Sequence, residues 1–273
     1  MENTLVLRNG RTLPLLGFGV YLIKEQGQMT QAIRAAWDAG YRSFDTAQMY
    51  ENEELLGRAF QANGIKREEY FLTTKIHMDH MSPEKVRTSL EESLAKLGTS
   101  YADALLVHWP GQKKERLIAC WKTFMELYEE GTIRAFGGSN FEIYHMEWLK
   151  EAGLPLPMIL QIERHPFHTE EKLTAYAQEN GIAVEAWSPL MRGKLQEPLF
   201  AALAEKYGKT PAQIVLRWNV QQQVAVIPKS SNPGRIAENS NIFDFELAEE
   251  DMAAISACNQ DLGSSWDPKT FDY

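Results

Sequence analysis

From Tyr41 onward the chain alternates short apolar runs with longer segments of helical spacing, and this alternation restricts the fold more than any single residue does. The runs read "YRSFD", "YFLTTK", "DALLVHW", "RAFGGSN", "MILQIE", "IAVEAWS", "VAVIPK" and, more weakly, "NIFDF". They are brief and nearly continuous in apolar character, as strands covered on both faces should be. The segments between them carry helix punctuation. Ser82 and Pro83 suit an N-cap and a first turn, Val86, Leu90, Leu94 and Leu97 share one face, and Gly98 ends the helix. Thr210, Pro211 and Gln213 form a capping-box start ahead of Ile214, Val215 and Trp218. Asn52 can cap the helix that carries Glu53 and Glu54 near its positive end. Gly40, Gly131, Gly153 and Gly181 fall where helices should stop before the next run.

Eight strand–helix units in 273 residues predict an α/β protein built as one (β/α)₈ barrel domain over residues 1–273, its first strand at Tyr41. The first forty residues stand outside the repeat. "TLVLRNGRTLPLLG" reads as a β-hairpin turning at Asn9 and Gly10, placed to cap one end of the barrel. A doubly wound dinucleotide fold would need G-x-G-x-x-G at a strand-to-helix turn. The nearest stretch, "GFGVYL", has Leu22 where the third glycine belongs and lies in the N-terminal extension.

Composition removes several function classes. A net charge of −9 disfavours nucleic acid and anionic membranes as partners. No apolar run approaches the ~20 residues of a membrane span, and "MENTLVLRNG" lacks the features of a signal peptide. Cys120 and Cys258 lie far apart, in neither metal nor redox spacing, and read as reduced packing residues of a monomeric cytoplasmic protein.

The chemistry gathers at strand ends. The first run ends at Asp45 with Tyr50 in the following turn, the second at Lys75, the third at His108. In such a barrel these four side chains converge at the C-terminal face. An ammonium beside a phenol favours the phenolate and lowers its pKa from about 10. Asp45 can hold that ammonium, and His108 can donate to a substrate oxygen. The set can protonate an oxygen as charge develops on it, the requirement of carbonyl reduction.

"GFGVY", "FDTAQMYENEELLG", "LTTK", "LLVHWP", "GGSNF", "AWSPL" and "IPKSSNPGRIAEN" resemble, in order and over nearly the whole chain, the motifs of the aldo-keto reductase family. Its closest subgroup is that of the prokaryotic diketogluconate and glyoxal or methylglyoxal reductases. The resemblance implies a tetrad of Asp45, Tyr50, Lys75 and His108, with Tyr50 as general acid, and NADPH as hydride source. It implies that Ser139, Asn140 and Gln161 grip the nicotinamide amide, that Trp187 stacks on the ring, and that Gly19, Val20 and Tyr21 lie beside it. The resemblance also implies that Ser188, Leu190, Gly193 and Leu195 follow the pyrophosphate and that Glu238 and Asn239 meet the adenine. Lys229, Ser230, Ser231 and Arg235, at the start of a short helix after the seventh run, suit a phosphate site. Pairing of Lys229 and Arg235 with a 2′-phosphate favours NADPH over NADH.

Two positions depart from the family pattern: Leu160 stands where an asparagine is usual, and Gly138 replaces a common valine, a change expected to be tolerated. Val20, Tyr21 and Trp109 are expected to flank a small-molecule carbonyl. The segment "PGQKKERL" and the tail "GSSWDPKTFDY" are short, which predicts an open site. Two other functions use the same chain differently. A metal-dependent barrel hydrolase could employ His77 and His80 or His165 and His168, though no metal is expected. A regulatory barrel could bind NADPH without turnover.

Overall fold

Eight short parallel strands form a closed ring: β3 (Phe18–Gly19), β4 (Ser43–Asp45), β5 (Phe71–Ile76), β6 (Ala104–Val107), β7 (Phe136–Ser139), β8 (Ile159–Glu163), β9 (Ala183–Trp187) and β10 (Val224–Val226). The computed structural model describes residues 3–272. Each strand pairs in parallel with the next in sequence. Ring closure comes from the Gly17 amide donating to Val226 O at 2.8 Å and the Val226 amide donating to Leu15 O at 2.9 Å. The expected barrel is therefore the observed fold, but two strand assignments shift.

The first ring strand is Phe18–Gly19, inside the stretch read as an extension, followed by α1 (Gln26–Asp38). Two residues are too few to show as an apolar run. "NIFDF" is not a strand. With the ring already closed, its backbone is served by side chains of α8 (Pro211–Gln221): Gln213 Nε2 donates to Asn241 O and Arg217 Nη1 to Ile242 O, and just past the segment Gln221 Nε2 donates to Leu247 O. "VAVIPK" consequently supplies the eighth strand of the ring, not the seventh. The connection before it holds two helices, α7 (Pro198–Tyr207) and α8.

The hairpin is as expected, β1 (Thr4–Val6) pairing antiparallel with β2 (Thr12–Pro14). Arg8 donates to Leu156 O and Pro157 O, and Asn9 Nδ2 donates to Arg134 O at 2.9 Å. Those carbonyls precede β7 and β8, so the hairpin covers the N-terminal end of the barrel, opposite the strand ends that carry the chemistry.

The remaining helices are α2 (Glu53–Ala62), α3 (Pro83–Leu97), α4 (Lys114–Glu129), α5 (Ile143–Glu151), α6 (Glu171–Glu179), α9 (Pro233–Ser240) and α10 (Glu249–Ser256). Their local signals are realised. In α3, Val86, Leu90, Leu94 and Leu97 are buried against the barrel, and Gly98 closes the helix at φ +69°, a left-handed conformation that costs glycine nothing. The Thr210–Gln213 capping box is formed in both directions. Asn52 occupies the N-cap of α2 but its side chain does not cap. It donates instead to Val20 O at 2.9 Å and Ile23 O at 3.1 Å and accepts from Thr46 Oγ1 at 2.9 Å. The amide thus ties the loop after β3 to the loop after β4, and both loops line the site.

Candidate active site

Lys75 is fully buried at the end of β5, and an ammonium there needs a counter-charge. Asp45, at the end of β4, provides it, with Nζ 2.6 Å from Oδ1 and 2.8 Å from Oδ2. Lys75 also donates to Thr46 O at 3.0 Å and to the Tyr50 hydroxyl at 3.4 Å. Burial alone would lower the lysine pKa, but Asp45 and Tyr50 outweigh it and raise it above its ordinary value. The phenol goes the opposite way from expectation. Burial pushes it up to about 12, and the favourable charge of Lys75 offsets that only in part. In the free protein Tyr50 holds its proton firmly.

Tyr50 sits in a single 3₁₀ turn, Gln48–Tyr50, whose direction is fixed by Gln48. The Gln48 amide donates to Ser89 O and Ser93 Oγ on α3, and its Oε1 accepts from the His77 amide at 2.8 Å. Around the hydroxyl stand Tyr21, with ring centroids 4.9 Å apart, and His108, at 5.5 Å. The His108 ring is buried, and burial together with Lys75 drives its pKa well below the ordinary value, so the imidazole is neutral. The four residues of the expected tetrad therefore meet in one place.

A second polar chain runs under them. Gln161, on β8, donates one N–H to Asp45 Oδ2 at 2.8 Å and the other to Glu185 Oε2 at 2.6 Å. Asn140 Nδ2 donates to His108 O at 2.9 Å and to Ser139 Oγ, and Asn140 Oδ1 accepts from the Trp187 indole at 3.0 Å. Trp187 is therefore clamped edge-on, with its ring partly open. Glu185 escaped the reading of the sequence. Its signal was an acid at the centre of the otherwise apolar run "IAVEAWS", where an unpaired charge would be costly.

Ser188, Met191 and Arg192 all adopt positive φ in the loop that carries Leu190, Gly193 and Leu195, and the Ser188 hydroxyl is buried without a partner. Beyond β10, Lys229 and Arg235 are exposed, and neither makes an ion pair with a described residue. Partial burial lowers the Lys229 pKa with no nearby acid to restore it. Ser230 Oγ accepts from the Asn232 amide, and Asn232 Oδ1 caps α9 at the Arg235 amide. Glu238 Oε1 accepts from Thr210 Oγ1, and Asn239 is buried. A loop bearing two unpaired cations at a helix start, with an unsatisfied hydroxyl along the way, fits an elongated anionic cofactor such as a dinucleotide phosphate.

The tail departs from expectation. Trp266 and Phe271 stack at 4.5 Å and both pack against Trp109, at 5.5 Å and 5.1 Å. Ser264 donates its amide to both oxygens of Glu163 at 2.9 Å, and Gln112 Nε2 donates to Pro268 O at 2.8 Å. A short tail thus still builds an aromatic wall, because it is anchored at two points. Gly138 is accommodated by a close neighbour. A Cβ placed there would lie 2.5 Å from the Phe141 ring, so the space a valine would fill is taken.

The histidine pairs have local partners: His165 Nε2 lies 3.1 Å from Glu163 and His168 Nε2 lies 3.0 Å from Glu170. Among the described residues, no group of three or more His, Cys, Asp or Glu is arranged to hold a metal, and no helix is long and apolar enough to cross a membrane.

The aldo/keto reductase family pattern matches residues 16–260. The chain belongs to the aldo/keto reductase family. It is 42% identical over 262 residues to glyoxal reductase of Bacillus subtilis, spanning 96% of this chain and 94% of that one. It is 40% identical over 269 residues to methylglyoxal reductase DkgA of Escherichia coli, spanning 97% and 96%. The crystal structure of an aldo-keto reductase enzyme from a Medee basin deep-sea metagenome library superposes with a TM-score of 0.94 at 37% identity, over 98% of this chain and all of that one. This aldo/keto reductase is accordingly an oxidoreductase of a family that acts on carbonyl compounds.

Proposed function

We propose that this aldo/keto reductase reduces aldehydes and 2-oxoaldehydes with NADPH, and that Tyr50 is the general acid. The observation that carries the reading is the line Asp45–Lys75–Tyr50, in which a buried ammonium bound to a carboxylate also touches the phenol, at 3.4 Å. NADPH supplies the hydride when bound. Lys229 and Arg235 would pair with its 2′-phosphate, Ser230 and Ser231 would line that end, and Glu238 and Asn239 would meet the adenine. Ser188, Leu190, Gly193 and Leu195 would follow the pyrophosphate. Ser139, Asn140 and Gln161 would hold the carboxamide against Trp187, with Gly19 and Val20 on the other side.

The protein's own part is to place and polarise the carbonyl. Neutral His108 and protonated Tyr50 both face the substrate oxygen. As negative charge grows on that oxygen, the Tyr50 proton moves to it, and the emerging phenolate is met by Lys75. The high phenol pKa of the resting protein suits this role, because the proton is retained until an oxyanion demands it. Asp45 keeps Lys75 charged and aimed.

Val20, Tyr21, Trp109, Trp266 and Phe271 would enclose the substrate in an aromatic, uncharged pocket. Such walls suit small aldehydes and dicarbonyls, the chemistry named for the Bacillus and Escherichia relatives. The protein is proposed to act in the cytoplasm as a monomer, with the whole chain as one catalytic domain. The test is tryptophan quenching on addition of NADPH, followed by glyoxal, methylglyoxal and a panel of larger aldehydes in the same cuvette. Binding with turnover supports the reading. Binding without turnover of any carbonyl would leave a regulatory barrel in its place.

A further inference from the structure

We propose that Glu185 is a positioning residue of this site: it fixes the Gln161 amide so that its oxygen is presented to the cofactor carboxamide, and its charge tunes Tyr50 through Lys75. This rests on the reading of Gln161 as a carboxamide contact.

The first half follows from counting donors. A glutamine amide has two N–H bonds on one side and one oxygen on the other. In this site both N–H bonds of Gln161 are committed, to Asp45 at 2.8 Å and to Glu185 at 2.6 Å. With Glu185 ionised the flipped amide would set its oxygen against two carboxylates, and with Glu185 protonated it would still face the Asp45 carboxylate, so that orientation is disfavoured. Gln161 Oε1 takes no donor from a described residue and remains free to accept one. Glu185 can do this because it lies directly opposite Gln161 in the β8–β9 register. With Asp45 alone, one N–H would be unpaired and the amide could turn.

The second half follows from the charges that face Glu185. Asp45 comes from β4 and Lys75 from β5, while its partner across β10 is Ala225, which carries no charge. Two acids therefore share one ammonium. Burial and the Asp45 charge raise the Glu185 carboxyl to about 7, against some stabilisation from Gln161 and Lys75. Below that pH the Asp45–Lys75–Glu185 group is neutral, and above it the group carries one negative charge. The added charge opposes formation of a phenolate at Tyr50, so the acid weakens as Glu185 ionises.

The experiment compares Glu185→Gln with Glu185→Leu. The glutamine variant still accepts from Gln161 but cannot ionise, whereas the leucine variant does neither. Carbon-13 carboxyl NMR of the cofactor-free protein should show one acid titrating near neutrality, absent in Glu185→Gln. NADPH affinity, read by tryptophan quenching, should hold within about threefold in Glu185→Gln and fall about tenfold in Glu185→Leu, the loss of one oriented hydrogen bond. The NADPH to NADH preference should not change in either. Wild-type kcat/KM should decline severalfold as pH rises through 7, and the Glu185→Gln profile should lack that step. Unaltered NADPH affinity in Glu185→Leu would overturn the orienting role. A Glu185→Gln profile that superimposes on wild type would overturn the tuning role. A wild-type protein that binds no NADPH would overturn the cofactor reading and the orienting role with it, while the carboxyl titration still reports on Glu185 alone.

Discussion

Lys75 bridges Asp45 and Tyr50 unequally: its Nζ is 2.6 Å from the carboxylate but 3.4 Å from the phenol. The ammonium is thus held by one partner and only leans on the other, which leaves it free to tighten on a phenolate when one forms. Tyr50→Phe removes the proton while keeping the ring between Tyr21 and His108. Reductase kcat should fall by about 10²–10⁴-fold, with NADPH affinity unchanged. Stopped-flow turnover and fluorescence titration of the same preparation check both halves.

Lys229 and Arg235 form no ion pair with a described residue, the simplest arrangement for meeting a phosphate. Replacing both by alanine should weaken NADPH strongly and NADH little, since only the former carries the 2′-phosphate. Two charge-assisted contacts at about 1.5–3 kcal/mol each imply at least a hundredfold change in the ratio of dissociation constants. Equal losses for both cofactors would remove the 2′-phosphate assignment.

His145 gives a stability effect with a definite sign. Its Nδ1 accepts from the Glu142 amide at 2.9 Å, so Nε2 carries the proton and donates to Gly111 O at 2.9 Å. Burial depresses its pKa from 6.5 to about 4. Between those values the unfolded chain binds the extra proton and the folded chain does not, so stability is full above pH 6.5 and is lost as pH falls toward 4. The contribution is on the order of 3 kcal/mol. Urea unfolding at pH 7 and pH 4.5 should show a smaller difference for His145→Gln than for the parent. Because Gly111 lies three residues beyond His108, the same titration loosens a loop of the site.

Glu163 holds the tail through Ser264. Glu163→Gln keeps the shape but gives up the charge-assisted bonds and should loosen Trp266 against Trp109, with the Gln112–Pro268 bond still holding the rest of the tail. Steady-state kinetics should then show KM for bulky aldehydes changed severalfold, with kcat for methylglyoxal nearly kept, because the Tyr50 surroundings are untouched. If kcat and KM both hold for every aldehyde, the tail is not a wall of the pocket.

The sequence disclosed what depends on local rules. The barrel followed from alternation, the hairpin from Asn9-Gly10, and the convergence of Asp45, Tyr50, Lys75 and His108 from their places at strand ends. Relations decided by three-dimensional neighbours were not legible. Phe18–Gly19 is too short to announce a strand, and "NIFDF" has strand-like composition but is served by side chains of α8. Asn52 had the residue type of a cap, yet its amide was drawn to carbonyls of another loop. The phenol pKa is not legible in the sequence, because proximity to Lys75 can be read from strand order, whereas the weight of burial cannot.

Gly138 and Phe141 have an evolutionary consequence. The ring occupies the volume that a side chain at position 138 would need, so a larger residue there requires the ring to move. A lone Gly138→Val change would have to expel the ring, and Asn140, which steadies Trp187, lies on the short stretch that would be dragged along. A larger residue at 138 can be admitted with Phe141 kept, provided the ring swings away from the position it now holds.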